Sequence, residues 1–219
     1  MSTAAVCLKR LRWDDYLRLP DDERWELIDG ELYSMSPSPI DRHQLALGEL
    51  FGVMRSYLKG KKCRAILAPM DLKLSDENVV QPDLMVVCDP RQFKGHIEGP
   101  PALVVEILSP SSESKDRHRK MLLYARFGVP EYWIVSPFPP YVEILRLHDG
   151  AYILHRAFDK GENLTSETFP GLEINLDEVF DYPMSEEESS ILRFRDRRVP
   201  YPPQGVGVVG PSLEPVRQG

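Results

Sequence analysis

Between Ala102 and Leu108 the chain reads Ala-Leu-Val-Val-Glu-Ile-Leu, an almost unbroken apolar run with one carboxylate inside it. A run of that length and texture predicts a central strand buried on both faces. Such a strand needs cover on each face, so the chain has to build a layered domain of helices and sheet around it. Side chains alternate across a sheet, which puts Val104, Glu106 and Leu108 on one face and Leu103, Val105 and Ile107 on the other. An ionised carboxylate in such a strand is costly unless it is paired or holds a metal. The ordinary alternative is a face that reaches solvent; the apolar neighbours of Glu106 on its own face weigh against it.

Elements on either side are set by local pattern. Trp13–Leu19 predicts a short helix. Trp25-Glu-Leu-Ile-Asp-Gly-Glu-Leu-Tyr33 predicts a hairpin, because Asp29-Gly30 suits a two-residue type I′ turn. After a Ser36–Pro39 loop, Leu47, Leu50, Phe51, Met54 and Leu58 recur at helical spacing, predicting a helix from about Asp41 to Leu58. Short strands come next at Cys63–Leu67, Asp71–Leu74 and Leu84–Cys88, with a turn at Ser75–Asn78 and a loop at Gly95–Pro101. Ser109-Pro-Ser-Ser-Glu113 opens a helix over Ser114–Phe127, and Gly128 ends it. Glu131–Val135 is a strand. Tyr141–Leu147 and Ala151–Phe158 form a hairpin about His148-Asp-Gly150. Phe169–Leu172 is a turn and Leu176–Phe180 a short helix. The expected class is α/β (α+β): a central mixed β-sheet flanked by helices, with added antiparallel hairpins.

Length and composition set the outer bounds. A chain of 219 residues with 42% hydrophobic and 28% charged residues is that of an ordinary globular protein. The crowded prolines and glycines after Pro200 read as a disordered tail by composition. The expected division is a domain over 1–182 and an extension over 183–219. No apolar run approaches the ~18 residues of a membrane span, and the N-terminus lacks the apolar core of a signal peptide. Three cysteines (Cys7, Cys63 and Cys88) are an odd count without a CxxC pair. That predicts no disulfide framework and no cysteine zinc site, and a cytoplasmic setting. The net charge of −7 argues against a protein that coats nucleic acid. It does not argue against a nuclease, whose metal site concentrates carboxylates.

Three places carry chemistry. Pro82 cannot join a central ladder, so it marks a strand start with Asp83 at its edge. An aspartate there is ordinarily a turn or capping residue. Glu106 is the second. The third is the basic helix after it, where Asp116, Lys120 and Tyr124 are four apart and share a face. An amphipathic helix with a solvated basic side is the usual meaning of Lys115, Arg117, His118, Arg119, Lys120 and Arg126. Here the helix directly succeeds the strand of Glu106, so its first turns lie near that strand's end. Two carboxylates on neighbouring strands can hold a hard divalent cation, and a nearby lysine can orient water or offset charge on a phosphate. The histidines (His43, His96, His118, His148 and His155) show no paired zinc-ligand spacing.

WELIDGEL, SPSPIDRH, QPDLMVV, VVEILSPSS and DRHRKMLLYARFGVPEYWIV occur in this order from about Trp13 to Phe180. In this the chain resembles the Uma-two family, restriction-endonuclease-like proteins formerly grouped as a domain of unknown function, in the PD-(D/E)XK nuclease superfamily. The resemblance implies a restriction-endonuclease-like core and Mg²⁺-dependent hydrolysis of DNA phosphodiesters, with Mn²⁺ as a possible substitute. It implies Asp83 and Glu106 as metal ligands. The superfamily's usual lysine falls at Leu108 and is absent; Lys120 on the next helix matches instead. Glu26 and His43 match further positions as supporting residues, beside Asp116 and Tyr124. Arg117 and Arg119, or the stretch Arg193–Arg198, are candidate phosphate contacts. Ser136 stands where the family commonly has aspartate, which removes a supporting hydrogen bond. Duplex or branched DNA and a second copy of the chain are the implied partners. The competing reading is a non-catalytic nucleic-acid or protein interaction module on the same fold.

Overall fold

The computed structural model describes residues 10–20, 22–35, 40–109 and 115–183, with positions 185, 186, 188 and 190. The chain divides into two compact units, 1–182 and 183–219, and every helix and strand named here lies in the first. The Ser36–Pro39 loop, the residues after Pro200 and the stretch Arg193–Arg198 lie outside the described residues.

The helices are α1 (Trp13–Tyr16), α2 (Asp41–Tyr57), α3 (Lys115–Arg126) and α4 (Leu176–Val179). The strands are β1 (Trp25–Ile28), β2 (Glu31–Ser34), β3 (Arg64–Leu67), β4 (Leu72–Ser75), β5 (Asn78–Val80), β6 (Leu84–Val87) and β7 (Ile97–Glu98). They continue as β8 (Leu103–Ile107), β9 (Glu131–Pro137), β10 (Pro140–His148), β11 (Ala151–Asp159), β12 (Asn163–Thr165) and β13 (Glu173–Asn175). The main sheet has six strands in the order β11-β10-β9-β8-β6-β3. Its one parallel pair is β8 with β9, joined by the α3 crossover. A second sheet of five strands runs β2-β1-β5-β4-β7, and β12 pairs with β13.

The apolar run becomes β8, paired on both edges, as a strand buried on two sides requires. Met85, Val87, Val104, Tyr132 and Ile134 pack with Leu123 and Tyr124 of α3, and Ile28, Leu72, Val80 and Ile97 of the second sheet join the same cluster. The alternate residues Leu84, Val86, Leu103, Val105, Trp133 and Val135 are fully buried too. α2 lies against β3, β8 and β9. Each such side chain contributes roughly 1.5–3 kcal/mol. At Asp29-Gly30 both residues have positive φ, 51° and 76°, as a type I′ turn demands. Gly30 is obligatory for a second reason: a Cβ there would meet the Arg10 Cβ at 2.6 Å.

Some expectations need correction. Ser75–Asn78 is not wholly turn and Gly95–Pro101 not wholly loop, since Asn78 begins β5 and Ile97–Glu98 form β7; strands of three and two residues are too short to show a period. The cysteine arithmetic also misleads. β3 and β6 are antiparallel with Arg64 opposite Val87, so the next position faces Cys63 directly with Cys88, and the two form a disulfide. An odd count concealed one pair because pairing is decided by sheet register, not by spacing.

Candidate active site

Three local decisions bring the site together. The chain leaves β5 of the second sheet and enters β6 of the main sheet through Gln81-Pro82-Asp83. Pro82 has no N–H to give a ladder, so the crossing occurs there. β6 then pairs antiparallel with β8, Leu84 opposite Val105, and one step further the register sets Asp83 across from Glu106. Asp83 Oδ2 accepts the Ile107 N–H at 2.8 Å and lies 3.1 Å from His43 Nε2, in the first turn of α2.

Glu106 faces α3. Its Oε1 accepts the Tyr124 hydroxyl at 2.6 Å and lies 3.2 Å from Lys120 Nζ. The four-residue spacing of Lys120 and Tyr124 therefore does what the helix period predicts: both side chains reach one carboxylate. Lys120 also contacts Glu26 Oε1 of β1 at 2.8 Å. The same Glu26 oxygen accepts the Gln81 N–H at 2.9 Å. The site thus draws on β1, the Gln81–Asp83 link, β8, α2 and α3.

Glu26, His43 and Lys120 are each under a tenth exposed. Glu26 and Glu106 flank the one lysine and the charge of Asp83 reaches Glu106, leaving the cluster negative. Burial pushes the Glu106 carboxyl up to about 8; Lys120 opposes this, and the charges of Asp83 and Glu26 add to it. The Tyr124 hydroxyl is driven well above its ordinary range by burial and by Glu106.

Among the described residues no group of three or more His, Cys, Asp or Glu is arranged to hold a metal alone. The Asp83–Glu106 pair nonetheless suits a hard cation. Among the described residues the hydrogen bonds fall on one oxygen of each carboxylate, and the two side chains keep 17% and 12% exposure. Mg²⁺ is commonly bound by one or two carboxylates with water completing the shell.

Tyr124, Glu106, Lys120 and Glu26 form one contact chain, and the Asp83–His43 pair joins it through the Ile107 N–H beside Glu106. The side chains of Asp116 and Arg117 lie outside the described part. Arg119 stacks over the Tyr33 ring, 4.0 Å from its centre. Ser136 is buried on β9 opposite Tyr141. Sequence reasoning missed the scaffold behind Glu26. The Gln81 amide donates to Asp71 Oδ1 at 2.9 Å and the Tyr16 hydroxyl donates to the same oxygen at 2.8 Å. Arg24 reaches Gln81 Oε1 at 2.9 Å. Gln81 stands next to Pro82-Asp83 in sequence, the one hint available.

A model of the Uma2 family, described as "Putative restriction endonuclease", matches residues 13–177. The chain belongs to this family. An uncharacterized protein of Synechocystis sp. is 29% identical over 175 residues, 78% of this chain and 88% of that one. A crystal structure described as a putative nuclease belonging to DUF820 from Anabaena variabilis superposes with a TM-score of 0.64 at 22% identity, covering 78% of this chain and 97% of the other. The Uma2 chain therefore shares a nuclease-like fold with that structure.

Proposed function

We propose that this Uma2 protein is a metal-dependent endonuclease that hydrolyses DNA phosphodiester bonds. The observation that supports this best is the meeting of Asp83 from the link before β6, Glu106 from β8 and Lys120 from α3 in one nearly buried and net negative cluster. Asp83 and Glu106 would hold Mg²⁺, with Mn²⁺ as an alternative. When bound, the ion supplies a water of lowered pKa and neutralises charge on the phosphate. The chain's own groups do the rest. His43 and the Ile107 N–H fix Asp83 by one oxygen, and Tyr124 fixes Glu106. The Lys120 ammonium, beside Glu106, is placed to orient the attacking water and to offset charge developing on the phosphate. Glu26, gripped by Gln81, holds Lys120 in that position.

A plasmid-nicking assay tests the reading with wild type, Asp83→Asn and Glu106→Gln in Mg²⁺, Mn²⁺ or EDTA. Cutting that needs metal, and that both folded variants lose, is the expected result. Absence of cutting on supercoiled, single-stranded and branched DNA would refute catalysis and favour the interaction-module reading.

A further inference from the structure

At the far end of α2 the chain reads Arg55-Ser-Tyr-Leu-Lys-Gly-Lys-Lys-Cys-Arg64, five cations and no carboxylate in a chain of net charge −7. Lys61 Nζ sits 3.0 Å from the centre of the Tyr57 ring, and Arg64 donates to the Lys61 and Cys63 carbonyls at 2.6 and 2.8 Å. Among the described residues none of the five is ion-paired. Asp89, whose charge reaches Lys62, is itself held by Arg91 at 2.7 Å. Arg55, Ser56, Leu58, Lys59, Cys63 and Arg64 line a cavity of about 520 Å³.

Two simpler roles explain part of this. A cation or two at a helix C-terminus offsets its dipole. Cations on β3, an edge strand, discourage edge-to-edge pairing. Neither role needs a concave site walled by several cations without acidic partners. Like charges so concentrated repel one another unless an anion joins them, and guanidinium with ammonium donors suits the oxygens of phosphate.

We propose that this cavity is a second phosphate-binding site, which seats the backbone of a DNA substrate away from the point of cleavage. The identity of the ligand rests on the nuclease reading above. α2 rises 1.5 Å per residue, so its length from His43 to Tyr57 spans about 21 Å. A duplex carries one phosphate per strand for about every 3.4 Å of its axis, so a substrate long enough to span that length offers the cavity phosphates remote from those at the carboxylates.

The test is fluorescence anisotropy with labelled duplex DNA in EDTA over a salt series. It compares wild type with the Arg55→Gln/Lys59→Gln variant, whose two sites line the cavity and are exposed. Each lost phosphate contact takes about 0.9 from the slope of log affinity against log salt. The expected result is a slope lower by about 2 and affinity at least ~10-fold weaker, with an unchanged melting temperature. An unchanged slope overturns the proposal, and so does a wild type that binds no DNA. A parallel arm titrates inorganic phosphate and ATP; saturable binding there, with the DNA slope unmoved by the substitutions, assigns the cavity to a free nucleotide and also overturns it. The two readings fail separately. Metal-dependent cutting with an unchanged slope removes the second site alone, and a reduced slope without cutting by the wild type removes the nuclease alone.

Discussion

Lys120→Met separates the electrostatic role of this residue from its packing. Methionine keeps an aliphatic stem at this position of α3 and removes the ammonium that lies 2.8 Å from Glu26 and 3.2 Å from Glu106. All three side chains are nearly buried, so solvent replaces little of the loss. Breaking a buried pair from one side costs about 3–5 kcal/mol, because the partner charge is left uncompensated. In a unit of this size each kcal/mol moves the melting temperature by about 2–4 °C, so the variant should melt roughly 6–20 °C lower in EDTA. Removing Glu26 as well relieves that penalty, so Glu26→Gln/Lys120→Met should melt above Lys120→Met alone. A divalent cation does the same by another route: at 100 times its dissociation constant it restores about 2.7 kcal/mol. Cleavage should be lost in both variants at every metal concentration. Calorimetric melts with and without Mn²⁺, paired with nicking assays, check each step. A Lys120→Met protein that melts within about 2 °C of wild type, less than the shift of 1 kcal/mol, refutes the charge argument. One that still cuts DNA refutes the catalytic role.

Other perturbations probe single contacts. Tyr124→Phe removes the 2.6 Å hydrogen bond to Glu106 and should weaken Mn²⁺ binding about 10-fold by calorimetry, while the melting temperature falls only slightly. Glu131 is fully buried and accepts from Trp133 Nε1 at 2.7 Å, Ser166 Oγ at 2.9 Å and Thr168 Oγ1. Glu131→Gln sets an amide against these donors and should cost about 2–4 kcal/mol in urea unfolding, without altering metal binding. Cys63→Ser opens a link between residues 25 apart and should cost about 3 kcal/mol in oxidising buffer but little in reductant.

How far the sequence foretold this arrangement depended on the range of the interaction. The Asp29-Gly30 and Asp149-Gly150 turns were legible because a positive φ over two residues leaves a local signature, and both occur where expected. α2 and α3 announce themselves by period and by the glycine just past each. β8 was legible from burial on two faces. β5 and β7, three and two residues long, leave no periodic trace. Pairing of β5 with β1 and β4 is what creates a second sheet, and no local pattern encodes that partnership. The same limit hid the disulfide and the Tyr16–Asp71–Gln81 contacts, which join residues up to 65 positions apart. Asp83, Glu106 and Lys120 were visible because each breaks a local rule: an acid after a strand-breaking proline, an acid in an apolar run, and a basic turn next to that run.

The position of the lysine explains why the second sheet belongs to the site. Leu108 shares the strand face of Glu106 but stands just past β8, where its side chain packs against the main apolar cluster and its N–H bonds the Val135 carbonyl at 2.8 Å. A lysine there would approach Glu106 along its own strand, with the charge confined to the main sheet. From α3 the ammonium instead lies between Glu106 of the main sheet and Glu26 of the second. Glu26 is placed by Gln81, and Gln81 is clamped by Asp71 and Arg24, so the lysine's position depends on how the two sheets meet. The link that sets this meeting, Gln81-Pro82-Asp83, also delivers Asp83. One three-residue segment therefore positions a carboxylate directly and the lysine through Glu26. The apolar contacts of Ile28, Leu72, Val80 and Ile97 with the main cluster keep both in register.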